Sequence, residues 1–158
     1  MSTHPTDHFD QRDPLLVIGI ELRTSNDEAG RTIPDHWRRF SQQQVPASVP
    51  QRLGEDVIAV YTHFEHEGID NGGRYSLVIG CPVHGRPEVP PGMVSVRVAP
   101  SRRVRFPVEK GRPDLVGAAW QRVWQRDDLR KTYLADYERY GPDGGIELCI
   151  GVEPGDAF

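Results

Sequence analysis

Between Leu15 and Glu153 the chain runs twice through one order of elements, strand, helix, strand, strand, and this duplication limits the fold more than any other feature. In the first run Leu16, Ile18, Ile20 and Leu22 alternate with Val17, Gly19, Glu21 and Arg23, the period of a strand with one face on a core. Ile33, Trp37, Phe40 and Gln44 then mark one stripe of a short helix, with Pro34 suited to its first turn. The Pro-rich stretch VPASVPQRLGED is a loop. After it Ile58, Val60, Thr62 and Phe64 alternate with Val57, Ala59, Tyr61, His63 and Glu65 as a second strand. HEGIDNGGR holds a turn signal, and Tyr75 to Gly80 returns as the third strand of a hairpin.

The second run starts with a long strand from Met93 to Val108, bent at Pro100. A helix follows over Asp114 to Asp127, with Leu115, Val116, Ala119, Trp120, Val123 and Trp124 facing inward. Leu134 to Tyr140 and Ile146 to Glu153 are strands around the turn GPDGG. Short echoes fall at matching places: HWRRF at 36–40 against AWQRV at 119–123, and THFE at 62–65 against ADYE at 135–138. The expected fold is α+β: two duplicated units, about 15–81 and 93–153, forming a curved antiparallel sheet with the helices on one face and a cleft between the halves. Residues 1–14 are polar and aperiodic and read as a flexible tail before one domain over 15–158.

A length of 158 residues suits one domain. The net charge of −4, from 19 Lys and Arg against 23 Asp and Glu, gives no general attraction for phosphate backbones. The one basic run, Arg102, Arg103 and Arg105, reads as a solvated sheet edge, so no direct nucleic-acid partner is expected. No apolar stretch approaches the ~20 residues that cross a bilayer, and the first residues lack an apolar signal core. A cytoplasmic protein with no membrane partner is the expectation. Cys81 and Cys149 lack metal-ligand spacing and read as buried thiols.

For chemistry, the repeat puts Glu65 and Glu138 in equivalent positions at strand ends. Tyr61 and His63 share a face with Glu65; Asp136 and Tyr140 share one with Glu138. A carboxylate at a strand end is ordinary on an exposed sheet face, so the argument rests on the pair taken with Trp37, Trp120 and Trp124 on the helices. Aromatic walls around a desolvated carboxylate suit a flat organic cation. His63 and His66 fall on opposite faces of a strand and hold no metal there. The chain carries neither a Gly-rich phosphate loop between strand and helix nor a Gly-x-Ser-x-Gly elbow, so no cofactor and no serine nucleophile is expected.

From about Val17 to Val152 the segments IGIELRTSN, IPDHWRRF, VIAVYTHFE, YSLVIGCPV, VPPGMVSVRVAPSRRVRFPVEKG, AWQRVW, DYERY and IELCIGV resemble, in order and spacing, the gyrase-inhibitor-like family. These are the effector-binding domains of AraC- and MerR-type drug-sensing regulators, also found free-standing, and the integron-cassette branch is the most similar. The resemblance implies a pocket for hydrophobic cations centred on the acid of a Phe/Tyr-Glu-x-Tyr motif, here Tyr137-Glu138-Arg139-Tyr140. The expected ligand site is thus Glu138 as counter-ion with Trp37, Tyr61, Trp120 and Tyr140 as walls, and with Glu65 and Phe106 nearby. The expected role is that of a sensor or sequestering protein for a drug-like effector. It would be a monomer or dimer without its own DNA-binding domain, since a 14-residue tail cannot hold a helix-turn-helix, and a separate regulator is a possible partner. Two alternatives also follow from the resemblance. One is a hydrolase of strained-ring natural products, with Glu138 or Glu65 activating water; the other is a module that restrains a topoisomerase.

Overall fold

The computed structural model describes residues 7–154. Its elements are β1 (Asp7–Gln11), β2 (Leu15–Ser25), α1 (Ala29–Gln42), a single turn α2 (Val45–Ser48), β3 (Val57–Thr62), β4 (Arg74–Val83), β5 (Val94–Val98) and β6 (Ser101–Val108). A 3-10 turn at Pro113–Leu115 leads into α3 (Val116–Gln125), and β7 (Ala135–Tyr140) and β8 (Ile146–Val152) close the fold. All eight strands form one antiparallel sheet in the order β1-β6-β8-β7-β3-β4-β2-β5. The two halves, β6-β8-β7 and β4-β2 with β3, meet where β7 pairs with β3.

The duplicated unit is one strand longer than the sequence pattern suggests. Residues 93–108, expected as one bent strand, are two: β5 pairs with β2 of the first half, and after Ala99 and Pro100 the chain enters β6 in the second half. Residues 7–11, expected within a mobile tail, form β1 on the far side of β6; residues 1–6 of that tail lie outside the described residues. Each unit is therefore strand, strand, helix, strand, strand, with its first strand placed on the edge of the other unit. A two-residue link between strands near opposite edges is possible only if the sheet curls until those edges approach. The Gln11 side chain spans the gap, its Nε2 donating to the Val98 carbonyl at 3.2 Å. Gly19 and Gly80 face each other across β2 and β4 at a point where a Cβ on either would lie 2.0 Å from a backbone oxygen, so the ladder closes there only because both residues are glycine.

The curl splits the core. Val17, Ile58, Val60, Val78, Val96, Val98, Tyr137 and Cys149 pack on the face away from the helices. On the other face α1 covers Ile18, Ile20, Ala59, Leu77 and Ile79, while α3 covers Ile146, Leu148 and Ile150. Helix α1 starts five residues before Pro34, which lies inside it, and turns His36 and Phe40 inward. Buried His36 bonds the Ile20 carbonyl at 3.0 Å, and burial pushes its imidazole below the usual histidine range. Gln44, expected on the helix stripe, sits past its end with φ 51°. The Arg102–Arg105 run is no solvated edge, because β1 covers it. Arg102 and Arg105 pair with Asp10 and Asp7, and Arg103 is buried against the Tyr137 ring, donating to Gln11 Oε1 and the Ala135 carbonyl. Both cysteines are free and buried. Among the described residues no helix is long and apolar enough to cross a membrane.

Candidate functional site

The central ladder β3·β7 sets the geometry of the site. Its register pairs Val57 with Tyr140, Ala59 with Glu138 and Tyr61 with Asp136. These six side chains lie on the helix-bearing face, since alternate residues of a strand share a face. Two contacts relate the halves: Trp37 of α1 meets Tyr140 edge-on with ring centres 5.1 Å apart, and Trp120 of α3 meets Tyr61 edge-on at 5.0 Å. The shift that carries Trp37 and Tyr61 into the second half thus brings Tyr61 onto Tyr140, Ala59 onto Glu138 and Val57 onto Asp136. Ala59 and Glu138 are also cross-strand partners, so the pseudo-two-fold axis passes between them.

Glu138 is 2% exposed. Its Oε2 accepts hydrogen bonds from Tyr61 Oη and Trp120 Nε1, each 2.7 Å, and its Oε1 accepts one from Tyr140 Oη at 2.6 Å. The donors come from both halves because the carboxylate stands on the axis between them. Burial raises the Glu138 pKa, and the three donors, Tyr140 foremost, offset only part of that rise. Burial beside the carboxylate raises the phenol pKa of Tyr61 and Tyr140 in turn, keeping both hydroxyls as donors. Among the described residues no Lys or Arg forms an ion pair with Glu138.

A cavity of about 480 Å³ opens between α1 and α3 on one side of Glu138. Its apolar wall includes Ile33, Phe64, Tyr75, Val116, Trp120 and Trp124, and its floor carries Tyr61, Asp136 and Glu138. The aromatic rings form a chain: Tyr61 to Tyr75 at 5.8 Å, Tyr75 to Phe64 at 5.8 Å, Trp120 to Trp124 at 6.3 Å. Trp124, expected to face inward, is 44% exposed at the mouth. Tyr75 Oη donates to Asn26 Oδ1 at 2.9 Å, and burial followed by the nearby Glu138 charge lifts its pKa to about 12. Asp136, which sequence reasoning gave no role, is buried; its Oδ1 accepts from the Gly151 N–H at 2.8 Å. Burial raises its pKa to about 6 against the opposing pull of that hydrogen bond and of Arg103 and Lys131.

Of the expected site residues, Glu138, Tyr61 and Trp120 come together on the cavity, and Tyr140 binds Glu138 from the other side. Trp37 does not line the cavity; it is half-buried and packs edge-on against Tyr140 and against Phe40, the latter at 5.7 Å. Phe106 does not line the cavity; half-buried, it packs against the core beneath Arg126. Glu65 is not the counterpart of Glu138. Strand β3 stops at Thr62 because His63 takes a left-handed φ of 51°, which throws Glu65 onto an exposed loop. There its Oε1 accepts from the Arg74 N–H at 2.8 Å. The missed cavity residues Phe64 and Tyr75 were legible only as strand positions. Asp136 carried one usable signal, its place two residues before Glu138.

The curled eight-stranded sheet thus carries its two long helices around a cavity with a buried carboxylate on the pseudo-two-fold axis. The chain belongs to the family of integron-associated effector binding proteins, whose model matches residues 9–152. It is similar in fold to an integron cassette protein from the mobile metagenome of Vibrio cholerae (TM-score 0.75, 22% identity, covering 94% of this chain and 95% of that one). It is also similar to SAV2435, solved bound to tetraphenylphosphonium (TM-score 0.77, 16% identity, 96% and 95% covered). No curated protein sequence matches the chain.

Proposed function

We propose that this protein binds lipophilic organic cations in the cavity between α1 and α3, with Glu138 as counter-ion and Tyr61, Trp120 and Trp124 as aromatic walls, and that it acts as a sensor or sequestering protein. One observation carries the reading: a carboxylate only 2% exposed is held by three neutral donors and has no cationic partner among the described residues. Such a group is costly to keep in an apolar site, and a cation entering beside it recovers Coulomb energy that water screens poorly. Aromatic faces add cation–π attraction of roughly 0.5–2 kcal/mol. The tetraphenylphosphonium bound to a protein of the same fold supports the same ligand class. Hydrolysis fits less well, because three donors already fill most of the acceptor positions on Glu138 that an attacking water would need, while Glu65 stands away from the cavity.

Titration calorimetry with tetraphenylphosphonium tests the proposal. The expected result is micromolar binding, about −8 kcal/mol, weakened at least ~10-fold in Glu138→Gln. Equal affinity in both proteins, or binding by neither, sinks the counter-ion role.

A further inference from the structure

The cavity holds a second acid that the counter-ion role does not use. Asp136 and Glu138 stand two apart on one face of β7, which spaces them by about 7 Å. Both line the cavity and both are buried. Glu138 has three side-chain donors, whereas among the described residues the hydrogen bond to the Asp136 side chain is the single one from Gly151 N–H. The acceptor capacity left on Asp136 exceeds what one backbone donor fills, since an ionised carboxylate offers about four lone-pair sites.

Several charged or titratable groups surround it. Arg103 on β6 acts on it electrostatically, while its Nε and Nη1 donate to Gln11 and the Ala135 carbonyl and no hydrogen bond from it to Asp136 is formed among the described residues. Lys131, the one cationic side chain lining the cavity among the described residues, donates to the Arg126 carbonyl at 2.8 Å and is drawn first toward Asp127 and Asp128. Tyr133 comes from the segment before β7, and Tyr61 faces it across the ladder with its hydroxyl committed to Glu138. No neighbour therefore saturates the carboxylate, and the cavity gives a ligand direct access to it.

We infer that Asp136 is a specificity-determining residue: it selects, among lipophilic cations, those that carry a hydrogen-bond donor such as an ammonium group about 7 Å from the cationic centre held at Glu138. This rests on the cation-binding reading above and adds a second recognition point to it. A ligand of that kind bridges the two acids along β7, with its aromatic body against Trp120 and Trp124. The ammonium contact weakens as the medium is acidified through the range where Asp136 takes up its proton, near 6.

A matched pair of probes separates the two claims: butyltriphenylphosphonium and 4-aminobutyltriphenylphosphonium, which differ by the terminal amine alone. In the wild type at pH 7.5 the amine should tighten binding by about tenfold, the worth of one charge-assisted hydrogen bond. In Asp136→Asn that gain should fall below twofold, the two compounds then binding alike even though the lost charge weakens both. Within the wild type the gain should also shrink to less than twofold at pH 5, a readout that needs no variant to fold. If the butyl compound binds and the amine adds nothing, or if its gain survives Asp136→Asn, the role of Asp136 is overturned and cation binding stands. If neither compound binds, cation binding falls and takes this inference with it.

Discussion

The two halves share a backbone plan and differ where it counts. In the first half β3 presents Val57, Ala59 and Tyr61 to the helices; in the second β7 presents Asp136, Glu138 and Tyr140 at the matching places. The tyrosines are retained and each meets the other half's tryptophan, so both hydroxyls reach the axis. Only the acids are one-sided. A symmetric pair of carboxylates on the axis would place two buried like charges across one strand pair, and neither could ionise freely. One acid opposite one alanine gives a single negative charge served by donors from both halves. The cavity is one-sided as well. Trp120 and Trp124 border the cavity, while Trp37 packs on Phe40 and Tyr140 and does not.

The most severe way to break this asymmetry is Ala59→Glu. Ala59 is fully buried opposite Glu138, so the variant should lose more than about 3 kcal/mol of stability in urea unfolding at pH 7. The double variant Ala59→Glu, Glu138→Ala should recover most of that loss, because the two tyrosines can serve an acid on either side of the axis. If the double variant is no more stable than the single, the pseudo-symmetry of the donors is wrong.

The next effect isolates the Asp136 side of the comparison. Its folded pKa of about 6 lies above the unfolded value near 3.9, so the folded state holds the proton more tightly. The stability it contributes is full below about pH 4 and is lost as pH rises through about 6, an amount of up to about 3 kcal/mol. Asn can keep the Gly151 contact without the charge. The difference in unfolding free energy between Asp136→Asn and wild type should therefore grow in favour of the variant from pH 4 to 6 and level off above. A flat difference would show that Asp136 is not desolvated.

What the sequence disclosed follows from what kind of signal each element leaves. The alternation in β2, β3 and β4 and the apolar stripe of α3 are local periods, and all four elements appear where expected, although β3 stops at Thr62 rather than running on to Glu65. Glu138 was singled out by two routes, and only the Tyr-Glu-Arg-Tyr segment stands, because the repeat match with Glu65 used the wrong frame. Strand β1 was not, because Asp7–Gln11 has a polar composition and becomes a strand only by pairing with the arginines of β6. The split of 93–108 likewise depends on sheet closure, a long-range event with no local period. Matching THFE to ADYE aligned the halves in the wrong frame, since identity at Glu outweighed the cross-strand register that makes Ala59 the true counterpart.

The two tryptophan environments give a smaller, paired test. Trp120→Phe removes the N–H that Glu138 accepts and thins the cavity wall, so affinity for tetraphenylphosphonium should fall about fivefold, near 1 kcal/mol. Trp37→Phe, away from the cavity, should leave affinity within about twofold and instead cost roughly 1–2 kcal/mol of folding stability through lost packing. Equal effects of both on binding would mean that the ligand occupies both sides of the axis.

The smallest effect is expected at Glu65, the residue that the sequence set beside Glu138. A carboxylate acts on a cation at long range only where water is excluded; on an exposed loop, screening at physiological salt reduces its pull within about 8 Å. Glu65 is such a group. It lies past the end of β3, does not border the cavity, and is engaged by the Arg74 N–H. Gln keeps an oxygen that can accept the same bond, so Glu65→Gln should change tetraphenylphosphonium affinity by less than about twofold and the melting temperature by about 1 °C or less. Calorimetry of Glu65→Gln beside Glu138→Gln under one set of conditions makes the comparison direct. A loss at Glu65 as large as at Glu138 would mean that the loop folds over the bound cation, and the one-sided placement of charge in the second half would no longer account for binding.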